Sequence, residues 1–209
     1  MGAKFRHDHD ELIPLSNAAL IATAGKAAII LGIGLLFAVA SAGSTGDVPE
    51  PLGLWTGAMQ GPTPKTLAGA AVVDFAAIEA LLPEQPLLLD VGPAARKPED
   101  FPSDRPWLPI HRSLPNAIWM PGAGAAPLAA AREDLFYRRI GELTHGDKAK
   151  PIVVFCRPDC WGGWNVGKRL VRNGYTSVSW FPAGIDGWQE RRETAEVKPD
   201  ADWIAEPTR

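Results

Sequence analysis

Pro151-Ile152-Val153-Val154-Phe155-Cys156-Arg157-Pro158-Asp159-Cys160-Trp161-Gly162-Gly163-Trp164-Asn165-Val166-Gly167-Lys168-Arg169-Leu170-Val171 joins three local signals in one stretch. Residues 151–155 form a short, uninterrupted apolar run rich in β-branched side chains, as in a strand buried on both faces. Six loop residues follow, and both cysteines of the chain lie among them. From Gly162 to Asn173 the pattern is helical, with Gly174 placed to cap its end. Strand, tight loop and helix in this order predict a parallel strand whose C-terminal end delivers Cys156 to the start of a helix. A helix N-terminus carries unpaired N–H groups and a partial positive charge. Such surroundings lower a thiol pKa from about 8.5 toward 7 or below, and the thiolate is the reactive form.

The rest of the chain fits the same architecture. Asp74 is a good N-cap for a helix through Leu82, with Phe75, Ile78, Leu81 and Leu82 on one face and Pro83 as its stop. Pro86-Leu87-Leu88-Leu89-Asp90-Val91 is a second buried strand ending at an acid. Residues 92–115 are Pro-rich and irregular, and Ala117-Ile118-Trp119-Met120 is a short strand. Glu133–Leu143 is amphipathic, with Leu135, Phe136, Ile140 and Leu143 as its stripe. Thr176–Phe181 is a further strand, and Gly184–Glu190 a turn with a short helix. Strands alternating with helices predict an α/β domain with a mostly parallel central sheet and helices on both faces. Ligands of such sheets bind beyond the carboxyl ends of the strands, where Cys156 and Asp90 both fall.

At the N-terminus, Lys26 precedes an uncharged apolar run, residues 27–38, followed by Ala38-Val39-Ala40 and Ala40-Ser41-Ala42. This is the pattern of a secretory signal cut after Ala40 or Ala42, and the run is short for a membrane span. Residues 1–42 are therefore read as a signal peptide or N-terminal anchor, and the body as exported to the periplasm. Membrane association is expected only if the leader stays uncut. Residues 43–65 read as a Gly- and Pro-rich tether, 66–192 as the domain and 193–209 as a tail. The chain of 209 residues is 46% hydrophobic and 22% charged with a net charge of −3, which argues against nucleic-acid binding.

Four segments carry a family resemblance. Leu88-Leu89-Asp90-Val91 resembles the aspartate-ending strand of rhodanese-like domains. Ser113-Leu114-Pro115-Asn116-Ala117-Ile118-Trp119-Met120-Pro121 resembles their His-x-Pro-Gly-Ala-x-x-x-Pro element, with Asn116 where glycine is usual. Ile152–Arg157 resembles the active-site strand and loop, and Phe181–Trp188 the closing Gly-Gly-x-x-x-Trp element. Within that family, Phe155–Trp161 with Trp164-Asn165 and Gly174-Tyr175 is most similar to a group named for PQQ-dependent catabolism and its Cys-x-x-Cys-Trp motif. Here three residues separate the cysteines. The resemblance implies a single rhodanese-like domain in an exported protein associated with quinoprotein alcohol dehydrogenases.

It also implies roles. Cys156 matches the cysteine that attacks a sulfur donor and carries a persulfide. Arg157, Pro158, Asp159, Trp161, Gly162 and Trp164 are expected to shape the substrate site, with Asp90, Asn165, Asp186 and Trp188 in support. Asp159 and Trp161 are unsuited to an anionic donor such as thiosulfate. Cys160 is placed to resolve a persulfide or sulfenic acid on Cys156. A bridge between the two would close too short a loop to stabilise the fold much, so the pair reads as chemical rather than structural. Three activities remain open: sulfur transfer through Cys156, thiol–disulfide chemistry by the pair, and a non-catalytic accessory module with a fixed bridge. The partner is a small sulfur donor or thiol acceptor, and a PQQ-dependent dehydrogenase system is a contextual one. No cofactor or metal is expected: two cysteines are half a tetrahedral set, and His111 and His145 have no ligand spacing. Asp90 is expected to be a hydrogen-bond acceptor rather than a base, and Lys168 and Arg169 a solvated helix face.

Overall fold

In a computed structural model of the chain, the described residues are 47–105, 107 and 110–205. The leader lies outside them. Among the described residues, seven strands and five α-helices follow in order, with a 3-10 turn Leu82–Glu84 after the first helix. They are β1 Ala71–Val72, α1 Phe75–Leu81, β2 Leu87–Asp90, β3 His111–Ser113, β4 Ile118–Trp119, α2 Ala130–Leu143 and β5 Ile152–Phe155. After these come α3 Trp161–Arg172, β6 Val178–Phe181, α4 Gly184–Gln189, β7 Ala195–Val197 and α5 Ala201–Ile204. Five strands form one sheet in the order β1-β6-β5-β2-β4, every pairing parallel. The sheet is the expected α/β one, and both of its faces are covered.

Strand alternation decides which helix covers which face. Leu87, Leu89, Ile152, Val154, Val178 and Trp180 point one way, into a core with α2, α3 and Trp203 of α5. Leu88, Val153, Phe155 and Phe181 point the other way, onto Ile78 of α1 and Ile185 and Trp188 of α4. The two central strands, β5 and β2, are buried at every residue, which is why they read as continuous apolar runs.

Register places the site. Asp90 pairs with Phe155, and Phe155 pairs with Phe181, so three strands end in one row. The Val91 N–H donates to the Phe155 carbonyl, extending that row by one residue. Cys156 is the first residue past it, at the carboxyl edge of the sheet.

Three regions differ from the sequence reading. The irregular stretch 92–115 contains β3, which pairs antiparallel with β7 from the part read as a tail. That pairing joins chain segments more than 80 residues apart, which local pattern does not reveal. The same part supplies α5, with Asp200 as its N-cap and Trp203 buried to 1% exposure. In the stretch read as a tether, residues 47–65 form a strap that packs on α3. No helix among the described residues is long and apolar enough to cross a membrane.

Candidate active site around Cys156 and Cys160

Cys156 and Cys160 are joined by a disulfide across the loop, with their Cα atoms 6.2 Å apart. Cys156 is 3% exposed and Cys160 9%. Cys160 is also the N-cap residue of α3. Between them Arg157 and Asp159 are exposed, and Asp159 makes the turn in the left-handed region with φ 53°. An aspartate tolerates that conformation better than most side chains. The loop is thus a sharp strand-to-helix turn pinned at both ends by sulfur.

The strap fastens the loop from outside. The Trp161 N–H donates to the Met59 carbonyl at 2.9 Å, and the Gly61 N–H to the Asp159 carbonyl at 2.8 Å. The Gln60 side-chain amide donates to the Pro158 carbonyl at 3.1 Å. The first N–H of α3 is therefore taken by the strap rather than aimed at a cysteine sulfur, a change from the sequence reading.

Two buried side chains hold the strap. Asn165 accepts from the Trp55 N–H at 2.8 Å and returns its amide to the Trp55 carbonyl at 2.9 Å, as a strand partner would. It also donates to the Gly124 carbonyl. Trp55 stacks on Trp161 with ring centroids 4.3 Å apart. Lys168 donates to the Pro51 carbonyl at 2.6 Å and to Glu50 at 3.3 Å. Burial alone would push the Glu50 carboxyl up. The Ala68 N–H, the Thr66 hydroxyl and Lys168 outweigh it and hold the carboxyl below its ordinary value.

Lys168 and Arg169 are consequently not a solvated face. They are 9% and 1% exposed. Arg169 donates to the carbonyls of Ala123 and Ala125 at 3.0 and 2.6 Å, with Glu133 3.5 Å from its Nε. Burial draws its pKa down from the usual arginine value, and the charge of Glu133 opposes that. Its work is structural: it fixes the turn 122–125 against the start of α3. That approach needs glycine at position 124, since a Cβ there would meet the Gly162 Cα at 2.2 Å.

The turn, the loop and the strap enclose a cavity of about 300 Å³. Both cysteines open onto it, with Val91, Pro93 and Ala125 as apolar walls and Met59 and Gln60 from the strap. Gly122, Gly124 and Gly162 supply bare backbone, and Arg157 is the one charged lining residue among the described residues. The Arg157 side chain is 66% exposed and lies 3.8 Å from Asp186, an exposed pair worth little energetically. Trp164, expected to touch substrate, is fully buried in the core and donates its indole N–H to the Thr66 carbonyl. Trp161, also expected to shape the substrate site, is buried beneath Trp55 and does not line the cavity. Pro158 and Asp159 are bound to the strap by their carbonyls and do not line the cavity.

Asp90 is wholly buried and accepts from the Gly92 N–H at 2.8 Å, the Ser113 hydroxyl at 2.6 Å and His111 Nε2 at 2.7 Å. Its carboxylate ties β3 to the end of β2. Asn116 has φ 65°, which explains why an element that favours glycine can carry asparagine here. Trp188 is buried on the opposite face of the sheet and donates to the Glu193 carbonyl. Gly184 has φ 54° and lies so near the loop that a Cβ would sit 2.3 Å from the Cys156 carbonyl oxygen. That carbonyl accepts from the Ile185 N–H at 3.0 Å.

The strap residues Met59, Gln60 and Trp55 are neighbours of the site that the sequence reading did not include. A signal existed in Trp55, a large apolar residue inside a Gly- and Pro-rich stretch.

No family model matches the chain, and no curated protein matches it. Among solved structures, it is similar to the polysulfide-sulfur transferase homodimer of Wolinella succinogenes. The two are 20% identical with a TM-score of 0.38, over 61% of this chain and 80% of that one. It is also similar to an uncharacterized protein from Saccharomyces cerevisiae. That pair is 17% identical with a TM-score of 0.36, over 58% of this chain and 92% of that one. Likenesses this distant carry no argument about the chemistry of the site.

Proposed function

We propose that this protein handles sulfur through Cys156, as a rhodanese-type sulfurtransferase whose second cysteine resolves the product. The observation that carries the reading is the placement of the pair. Cys156 lies at the carboxyl edge of a parallel sheet, faces a cavity, and is within bonding reach of Cys160. In the reduced protein, the Cys156 thiolate attacks the outer sulfur of a persulfide donor R–S–SH. A new S–S bond forms, the donor's S–S bond breaks, and R–S⁻ leaves, so Cys156 holds the added sulfur. An acceptor thiolate removes that sulfur by the same displacement. In its absence, the Cys160 thiolate attacks the Cys156 sulfur, expels hydrosulfide and leaves the bridge.

The bridge also favours a second reading, thiol–disulfide exchange by the pair alone. We place either chemistry in the periplasm, supported by the leader pattern of residues 1–42 and by a bridged pair, which persists in oxidising compartments. The similarity of Phe155–Trp161 to the PQQ-associated group supports a role beside a quinoprotein dehydrogenase.

Mass spectrometry separates the readings. Reduced Cys160→Ser protein exposed to a persulfide donor is expected to gain one sulfur atom on the Cys156 peptide. The unaltered chain should release hydrosulfide and re-form the bridge. A Cys160→Ser protein that takes up sulfur from neither a persulfide donor nor thiosulfate leaves exchange as the activity.

A further inference from the structure

We propose that the cavity beside the bridge selects small aliphatic sulfur compounds with no charge at the end remote from sulfur, entering as thiols or as their persulfides. The inference rests on the reading that the cysteine pair is chemically active, and it names the substrate class of that site.

Size comes first. A volume of about 300 Å³ lies at the lower end of ligand pockets, which run from roughly 300 to 1,000 Å³. Polarity comes second. Val91, Pro93, Met59 and Ala125 present hydrocarbon, and the glycine-lined turn presents backbone. Burying a charge against such walls is costly unless a partner meets it. Charge balance comes third. Among the described residues Arg157 is the one cation in the lining; it is largely in solvent, with Asp186 beside it. Asp159, two residues further along the loop, is an exposed carboxylate. An anion such as thiosulfate finds no buried counter-charge, whereas an alkyl chain meets apolar walls.

The reaction at the bridge balances without any further reagent. A thiolate RS⁻ attacks one sulfur of the bridge, forming an RS–S bond to Cys156 and breaking the bond to Cys160. The Cys160 sulfur leaves as thiolate and takes a proton from solvent. A second RS⁻ attacks the mixed disulfide and releases RSSR and the Cys156 thiolate. Two thiols are oxidised and one bridge is reduced.

The test compares 1-butanethiol with 3-mercaptopropionate, two thiols of similar length that differ in the charge at the far end. Opening of the bridge in the full folded chain is followed by mass spectrometry after acid quenching and alkylation, with rates expressed per thiolate. The neutral thiol is expected to react at least ten-fold faster. Ala125→Leu, which fills the cavity, should slow butanethiol by a similar factor. Equal rates, or a faster anionic thiol, would overturn the selectivity while leaving the cysteine chemistry standing. A bridge that neither thiol opens in the folded chain, but that dithiothreitol opens in urea, would overturn the underlying activity and the selectivity with it. The comparison of the two thiols on the unaltered chain remains decisive should Ala125→Leu fail to fold.

Discussion

At the scale of single residues, the site depends on groups whose chemistry is ordinary and whose placement is not. Asp90 is a fully buried carboxylate with three donors, from Gly92, Ser113 and His111. Asp90→Ala leaves those donors unpaired and is expected to destabilise the fold by about 2–4 kcal/mol, measured by urea unfolding. The strand-ending acid was visible in the sequence, and its role as an acceptor is what the structure shows. Gly124 is different. Its neighbour across the contact, Gly162, lies 38 positions away, so only tertiary structure reveals that a Cβ would meet the Gly162 Cα at 2.2 Å. Gly124→Ala should force the turn 122–125 off α3, loosen the wall set by Arg169, and lower stability by about 2 kcal/mol or more. A stability within about 0.5 kcal/mol of the unaltered chain would contradict that reading. Lys168 and Arg169 look solvent-facing by residue type, because a long cation is rarely buried without partners. Here the partners are carbonyls of Pro51, Ala123 and Ala125, supplied by segments remote in sequence.

At the scale of elements, the central strands and long helices were legible because burial on both faces leaves a continuous apolar run and amphipathic helices leave a stripe. The strap was not, since it has no period of its own and takes its order from α3. Its attachment gives a pH dependence with a definite sign. The Glu50 carboxyl is held below its ordinary value of 4.5 by the Ala68 N–H, the Thr66 hydroxyl and Lys168, against the opposing effect of burial. A carboxyl depressed on folding contributes stability that is present above the unfolded-state value and is lost as pH falls through the folded one. The strap should therefore stay docked at neutral pH and loosen as pH drops below about 4.5. Tryptophan fluorescence reports the event, because Trp55 leaves its stack on Trp161. Glu50→Gln should remove that transition at acid pH and weaken docking at neutral pH. An unchanged transition in Glu50→Gln would assign the pH response to another group.

At the scale of the whole molecule, the bridge joins residues four apart in sequence and closes a very short loop. In the chain-entropy account such a closure stabilises by about 2 kcal/mol at most, less than a bridge over a long loop. Reduction is therefore expected to lower the Tm by only a few degrees while exposing two thiols, checked by calorimetry with and without reductant. A collapse of the fold on reduction would make the bridge structural and favour the accessory-module reading. The sequence by itself determined the parallel α/β sheet, the helices that cover it, the position of Cys156 at a strand end and its pairing range to Cys160. These are local facts, written in hydrophobic period and in spacing along the chain. Only the tertiary structure decided that residues 47–61 lie over the loop, that β3 meets β7, and that an apolar cavity stands beside the sulfurs. Each of those is a contact between segments far apart in the chain. Its energy comes from complementary shape and from paired polar groups, and neither is encoded in any one stretch.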